Sequence, residues 1–536
     1  MSIINKFKEG PKVDKAVYIP SVFITLFLAF YFVANPEGSL SKLNGVFSYM
    51  TNELGWAYIW FTLAAFGSAL YLIFGKYGNV KLGSETDTPD FSKFSWIGMI
   101  FTASTGSSLL YWGTIEWIYY YQSPPFGTEV GSWQAIEWAS AYGLFHWGAT
   151  AWAMYAVVSV AIAYVYHVKK QPILRLSEAC RGILGDKVDG PIGKMIDIFF
   201  VFGLIGGVTT SMGLGTPMLT AGICKLTGME HTQTLELIII TLWTLSIGVT
   251  VFLGLEKGIK RLSDLNVYLA FGVLGFLLLA GGHTVFILNQ TTSAIGLMSQ
   301  ELIRMSFWTD AVGQSMHPQW WTIFYWAWWV VYAPAMGLYI AKISKGRSVK
   351  EVVLGSVLWG SLGSWIFFSI LGNYSMGLQL ASNNPEAYGG RALDVIAIFN
   401  NVGVEWAVVE TIAAAPLGTI LLTAFVILAF ISMVTGQTTI AFTLAAVTTK
   451  ELKADEEPAR WNSFGWALIL GTISISLLLF DALKPLQTTS IVAAFPLMGV
   501  LIVVAASFFK MMKADKESLV YVENPEEVKI DMKKAN

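Results

Sequence analysis

Apolar runs long enough to cross a bilayer alternate with short polar connections along almost the whole chain. They lie near 17–34, 55–75, 95–121, 134–166, 194–224, 234–254, 264–289, 320–343, 351–376, 415–447, 463–481 and 486–509. A helix needs roughly 20 residues to cross about 30 Å of hydrocarbon, so the pattern predicts an all-α integral membrane protein with about 12 transmembrane helices. The connections sort by charge. Every second one is basic, with Lys76 and Lys81, then Lys169, Lys170, Arg175 and Arg181, then Lys257, Lys260 and Arg261, then Lys342, Lys345, Arg347 and Lys350, then Lys450, Lys453 and Arg460. The connections between hold only scattered cations such as Lys42, Lys225, Arg304, Arg391 and Lys484. By the positive-inside rule the basic connections and both termini are cytoplasmic. Ser293 to Phe307 reads as an amphipathic outer connection along the interface, and the tail after Lys510 as a solvated arm.

Within this pattern the segment from Trp320 to Ile343 stands apart. Trp321, Tyr325, Trp328, Trp329 and Tyr332 fall at i, i+4, i+7, i+8 and i+11, so they share one helix face. An interfacial aromatic belt is about one turn deep, whereas this stripe covers three. Such a face suits a cation, above all a methylated ammonium held by ring quadrupoles. The stripe runs into Ala333-Pro334-Ala335-Met336-Gly337, which predicts a helix discontinuity at bilayer depth. The third apolar segment is interrupted too, at Ser104-Thr105-Gly106-Ser107-Ser108. The two interruptions are five spans apart, and an odd separation gives two halves of opposite topology, the plan of many secondary transporters.

Composition narrows the class. Of 536 residues 54% are hydrophobic and 13% charged, with mean hydropathy +0.57, against roughly 25% charge in soluble domains. The net charge of −2 argues against a nucleic-acid partner. Cys180 and Cys224 form no disulfide or metal pattern, and the five histidines are scattered. No nucleophile, metal-ligand or cofactor constellation supports an enzyme, and no cofactor is expected. A gated cation channel, the remote alternative, needs a repeated filter or a ring of acids, which the sequence lacks.

Longer motifs then carry a resemblance. SPPFG at 123–127, LFHWG at 144–148, GLEKGIKRLSD at 254–264, WTIFYWAWW at 321–329 with AKISKGRSVKE at 341–351, and LKPLQT at 483–488 follow one another over essentially the whole chain. The sequence resembles the betaine/carnitine/choline transporter (BCCT) family, and within it the branch that exchanges carnitine for γ-butyrobetaine. The resemblance implies a leucine-transporter-like 5+5 inverted repeat preceded by two extra helices, in a bacterial-type cytoplasmic membrane and in a homotrimer. On that plan 1–16 is a cytoplasmic segment, 17–94 two peripheral helices, 95–289 the first repeat, 290–319 an extracellular amphipathic connection, 320–509 the second repeat and 510–536 a cytoplasmic tail. The implied substrate is a trimethylammonium compound of the betaine, carnitine, choline or trimethylamine type, moved by alternating access. By motif, Trp328, Trp329, Trp147 and Tyr119 match the family's aromatic cage and Trp321 and Tyr325 an outer site, while Tyr332 and Trp152 are placed to complete either cage wall. No Asp or Glu occurs at these cage positions.

Coupling is read from the departures. Sodium-coupled relatives have a glycine-rich break where this chain has Ser104, Thr105 and Gly106 through Ser108. Met336 matches a methionine that replaces one sodium ion in the sodium-independent exchanger, and Lys260 stands where that exchanger has an arginine. Ser432 keeps one possible hydroxyl ligand. The pattern leans toward a substrate exchanger, the alternative being a sodium- or proton-coupled carrier of a small amine. Ala335 stands where the carnitine exchanger has a glutamine, which favours a smaller ligand or one without a carboxylate. Glu116, the one acid inside the third segment, is either hydrogen-bonded structure or a proton-coupling group. His146 reads as a packed, hydrogen-bonded histidine.

Overall fold

A computed structural model describes residues 10–453, 455–479 and 483–521; the protein is 79% helical, with no strand among the described residues. Of the predicted terminal segments, 1–9 and 522–536 lie outside them. Among the described residues seven helical stretches are long and apolar enough to cross a membrane: Gly55–Phe74, Trp133–Val168, Gln233–Ala280, Gln319–Lys342, Val349–Asn383, Gly418–Val447 and Val492–Ala514. The helices that matter below are α1 (Lys15–Ala34), α2 (Pro36–Asn52), α3 (Gly55–Phe74), α4 (Lys93–Thr105), α5 (Ser108–Gln122), α6 (Trp133–His146), α7 (Ala149–Ala163) and α8 (Pro191–Thr227). They continue with α9 (Gln233–Gly254), α10 (Arg261–Ala280), α11 (Thr284–Phe307), α12 (Phe324–Lys342), α13 (Val349–Asn383, interrupted by π turns), α14 (Gly418–Val447), α15 (Arg460–Leu479) and α16 (Leu483–Ala514).

Local chemistry explains where these helices begin and turn. Ser132 caps α6 by accepting from the Ala135 amide, and Ser348 with Glu351 forms a reciprocal capping box at the start of α13. The stretch Gln233–Ala280 is 48 residues long; as one straight helix it would span about 72 Å, more than twice the hydrocarbon thickness. It is divided at Gly254, whose φ of +84° with ψ of −173° only glycine adopts freely. The Glu457 carboxylate accepts the Leu255 amide freed by that turn, at 2.8 Å. The amphipathic connection expected from Ser293 is a helix that begins earlier, at Thr284.

Burial separates centre from periphery. The stretches holding α7 and α12 are each 94% buried over their apolar window, against 44% for Gln233–Ala280. All are apolar on every side, and such helices lie in a protein core or in lipid; α7 and α12 take the core, while α1, α9 and α10 expose Phe23, Phe30, Val249, Phe271 and Leu279 outward. Gly337 of α12 lies so close to α7 that an added Cβ would stand 2.6 Å from Val158 Cγ1.

The break expected in the third segment is present: Gly106, with φ +50° and ψ −153°, separates α4 from α5. The break expected at Ala333 to Gly337 is not. α12 runs unbroken through Pro334 to Lys342, so the pair of interruptions predicted from the sequence reduces to one. A proline deletes one backbone bond, which the dense packing of α12 on α7 outweighs, and Gly337 serves that packing rather than a kink. A different interruption lies in the fourth apolar segment, between α6 and α7. There Trp147 and Gly148 leave helical geometry, and the Trp365 indole N–H satisfies the Leu144 carbonyl at 2.8 Å.

Contacts between loops define two ends. At the basic end Arg175 binds Asp14 (2.9 Å) and the Thr449 carbonyl (2.7 Å), Lys345 pairs with Asp87 (3.1 Å) and Lys169 with Asp515 (2.8 Å). There the Lys342 ammonium is buried and donates to the Lys453 carbonyl (3.1 Å) and the Glu456 carbonyl (2.5 Å). At the opposite end Lys225 pairs with Glu410 (2.8 Å), His283 meets the Arg391 carbonyl (2.8 Å) and His317 the Ser123 carbonyl (2.9 Å).

Candidate substrate site

Three consequences of the local folding bring aromatic side chains together. The break at Gly106 lets α5 present Trp112, Glu116, Tyr119 and Tyr120; the break at Gly148 places His146 and Trp147 at the end of α6; and α12 carries its stripe past both. The side chains assemble in two layers.

The outer layer borders a cavity of about 760 Å³ whose lining includes Phe47 of α2, Trp112, Tyr119, His317, Trp321 and Phe324, a size suited to a small ligand. Tyr119 meets Trp321 at 5.2 Å between ring centroids and Phe399 at 4.9 Å; Trp112 meets Trp321 at 6.5 Å. Tyr119, matched by motif to the central cage, thus lies with the outer group. The reason is helical phase: its neighbour Tyr120 takes the inward direction, bonding Glu116 and stacking edge-on to Trp321 at 4.9 Å.

The inner layer centres on Trp147, whose ring lies 5.7 Å from Trp328 and 5.8 Å from Trp329, the latter two being 6.2 Å apart and nearly perpendicular. Tyr332 meets Trp328 at 4.9 Å and turns its hydroxyl toward Ser211 of α8 at 3.1 Å. Trp152 and Tyr155 support Trp329 from α7 at 5.4 and 4.7 Å, so Trp152 backs the wall instead of facing Trp328. Among these buried rings the Trp329 indole N–H has no acceptor, a donor left for a polar group brought in by a ligand. Tyr325 joins the layers, stacking on His146 at 4.8 Å, meeting Trp147 at 5.8 Å and lying 6.4 Å from Trp321.

The absence of acids at the motif positions does not make the inner layer acid-free. The fully buried Glu116 lies against it, accepting from the Trp147 indole N–H at 3.2 Å, from the Tyr120 hydroxyl at 2.6 Å and from the Tyr325 hydroxyl. Tyr120 also meets His146 Nδ1 at 2.8 Å, and His146 Nε2 meets the Thr322 hydroxyl at 3.0 Å. The sequence marked Glu116 and His146 as hydrogen-bonding groups but not their partners, since Glu116, Trp147 and Tyr325 lie on three segments.

The residues singled out for coupling divide. The Ser104 hydroxyl lies 2.7 Å from the Ile100 carbonyl on its own helix and 3.1 Å from the Met336 sulfur, so the end of α4 touches α12 here. Ser432 of α14 accepts from Asn266 at 2.7 Å, with its backbone carbonyl facing Gly106. Thr105 is the last residue of α4. Lys260 is elsewhere, in the π turn beyond Gly254, half-exposed and 3.5 Å from Asp264. Among the described residues no group of three His, Cys, Asp or Glu side chains is arranged to hold a metal.

Compared with known protein families, residues 16–517 match the model described as BCCT, betaine/carnitine/choline family transporter.

Proposed function

The chain belongs to the betaine/carnitine/choline transporter family, a family of membrane transporters and not of enzymes, and from that premise we propose that it carries one trimethylammonium compound at a time by alternating access. The observation that carries this reading is the meeting of Trp147, Trp328 and Trp329 at 5.7 to 6.2 Å. Three indole faces in a dry site attract a methylated ammonium by about 2 kcal/mol for each good contact. Tyr332 and Tyr325 extend the wall, while Trp112, Tyr119 and Trp321 around the outer cavity make the site of arrival. The unpartnered Trp329 N–H favours a substrate with an acceptor on its tail, such as the hydroxyl of choline or the carboxylate of betaine.

The basic end is cytoplasmic under this reading, by the charge of its connections, and the cage opens toward the outside while the buried Lys342 latch keeps the inner end shut. Helices from α4 to α10 and from α12 to α16 are the two inverted repeats, with α1 and α3 as the extra spans, in a homotrimer. The Ser104–Met336 contact supports exchange without sodium, because a thioether and a hydroxyl occupy each other where an ion would need oxygen ligands. Lys260, at the half-exposed turn, takes no part. A second reading, coupling to protons, is favoured by Glu116.

Proteoliposomes test the proposal. Uptake of labelled choline, betaine, carnitine and trimethylamine is followed under a sodium gradient, under a proton gradient, and with only preloaded substrate. Uptake with preloaded substrate alone is the expected result. Absence of uptake for all four compounds under every condition would overturn the transport reading, and uptake that collapses without sodium would overturn exchange.

A further inference from the structure

Glu116 is a carboxylate with three donors and no cation. Its hydrogen bonds come from Tyr120 on its own helix, Tyr325 on α12 and Trp147 at the end of α6. The other titratable groups facing this cluster are Tyr119 beside it on α5, His146 through Tyr120, Tyr142 of α6, whose ring lies 5.6 Å from that of Tyr120 and 5.3 Å from that of His146, and His317, whose ring lies 5.8 Å from that of Tyr120. His317 is neutral at pH 7, since burial holds its imidazole down at about 4 although the Ser123 carbonyl opposes the shift. No ion pair among the described residues involves Glu116. A buried charge without a counter-charge is costly, and the nearest place for one is the aromatic layer whose Trp147 holds this same carboxylate.

We propose that Glu116 is the titrating counter-charge of the transported cation, ionised while the trimethylammonium group fills the cage and protonated when the cage is empty, with Tyr120, His146 and Thr322 as its proton relay. The inference rests on the transport reading above.

The relay is complete in both directions, which sets it apart from a merely satisfied network. With Glu116 ionised, Tyr120 donates to the carboxylate, His146 Nδ1–H donates to the Tyr120 oxygen, and Thr322 donates to His146 Nε2. With Glu116 protonated every bond reverses: the acid donates to Tyr120, Tyr120 to His146 Nδ1, and His146 Nε2–H to Thr322. The change moves one proton in at Thr322 and one onto Glu116, and it switches His146 between its two neutral tautomers. Neither end state carries a buried charge beyond the one on Glu116. Thr322 is itself buried, and it follows in sequence the cavity-lining Trp321, which makes it the end of the relay nearest the outer cavity. The site keeps zero net charge with either occupant, so proton and cation exclude one another, and exchange of one substrate for another needs no proton gradient.

Competition of this kind has a fixed signature. Below the titration point of Glu116, the apparent Kd for choline rises about tenfold per pH unit, and each cation bound at low pH displaces about one proton. Full-length protein purified in detergent is titrated with choline from pH 5 to 9, read by tryptophan fluorescence, and proton release into weak buffer is followed with a pH-sensitive dye. The expected result is a pH-dependent Kd with proton release in the wild type, and neither in Glu116→Gln. Choline binding with no proton release at any pH overturns the inference and leaves the transport reading standing, as does a pH slope that persists in Glu116→Gln. Failure to bind any of the four trimethylammonium compounds overturns both. Should Glu116→Gln fail to fold, the proton count of the wild type decides. Tyr120→Phe, lacking the middle hydroxyl, slows proton release, whereas a purely structural role would leave its rate unchanged.

Discussion

Replacing Trp328 by leucine separates charge recognition from shape. Of the three central indoles Trp328 is the best choice for this test: Trp147 also bonds Glu116 and Trp329 is held by Trp152 and Tyr155, whereas among the described residues the ring contacts of Trp328 are with Trp147, Trp329 and Tyr332. Leucine keeps an apolar wall and removes the ring quadrupole. A desolvated cation over an indole gains about 2 kcal/mol, and at about 1.4 kcal/mol per decade the Kd for choline rises about 30-fold. The neutral isostere 3,3-dimethylbutan-1-ol, with carbon in place of nitrogen, reports packing without charge, and its weaker binding changes much less. Isothermal titration of both ligands gives the ratio directly, and thermal unfolding reads the separate cost of the smaller side chain. Equal losses for choline and its isostere would refute the reasoning, because the pocket would then be reading shape alone.

Gly106→Ala costs about 1–3 kcal/mol of stability, since φ +50° with ψ −153° is strained for any residue with a Cβ although the space around it is open; an unchanged melting temperature would contradict this. Gly337→Ala drives a Cβ into Val158 on α7 and costs about 1–3 kcal/mol, and Val158→Ala relieves part of that cost, so a double-mutant cycle shows favourable coupling where simple additivity would refute the contact. At the basic end the Ser84 amide bound to Asp87, helped by the Ser84 hydroxyl and the Lys345 ammonium and opposed by burial, holds the Asp87 carboxyl down at about 2. Its folded-state pKa lies below the unfolded value, so the tie is fully present above about pH 4 and is lost as pH falls toward 2; the protection factor of the Ser84 amide, the unprotected exchange rate divided by its own rate at the same pH, falls over that window and is constant above it. Asp87→Asn removes this pH dependence.

The sequence by itself determined the class and the ingredients. Continuous apolar runs require a membrane protein because uncharged backbone in lipid must be helical, and a period of 3.6 puts Trp321, Tyr325, Trp328, Trp329 and Tyr332 on one face. The small polar run at 104–108 marks a break because Gly106 can take a backbone geometry that its neighbours cannot. Periodicity fixes direction around one helix and says nothing about which helix comes opposite, or at what depth. That is why Tyr119 is found with the outer group and Tyr120 with the inner one, why Trp152 backs Trp329, and why α12 continues through Pro334 once it is pressed against α7. Only the tertiary structure decided that Glu116 would bond Trp147 and Tyr325, residues 31 and 209 positions away. A carboxylate takes its character from the donors and charges that surround it, and those arrive from segments whose meeting is settled by packing, not by sequence neighbourhood.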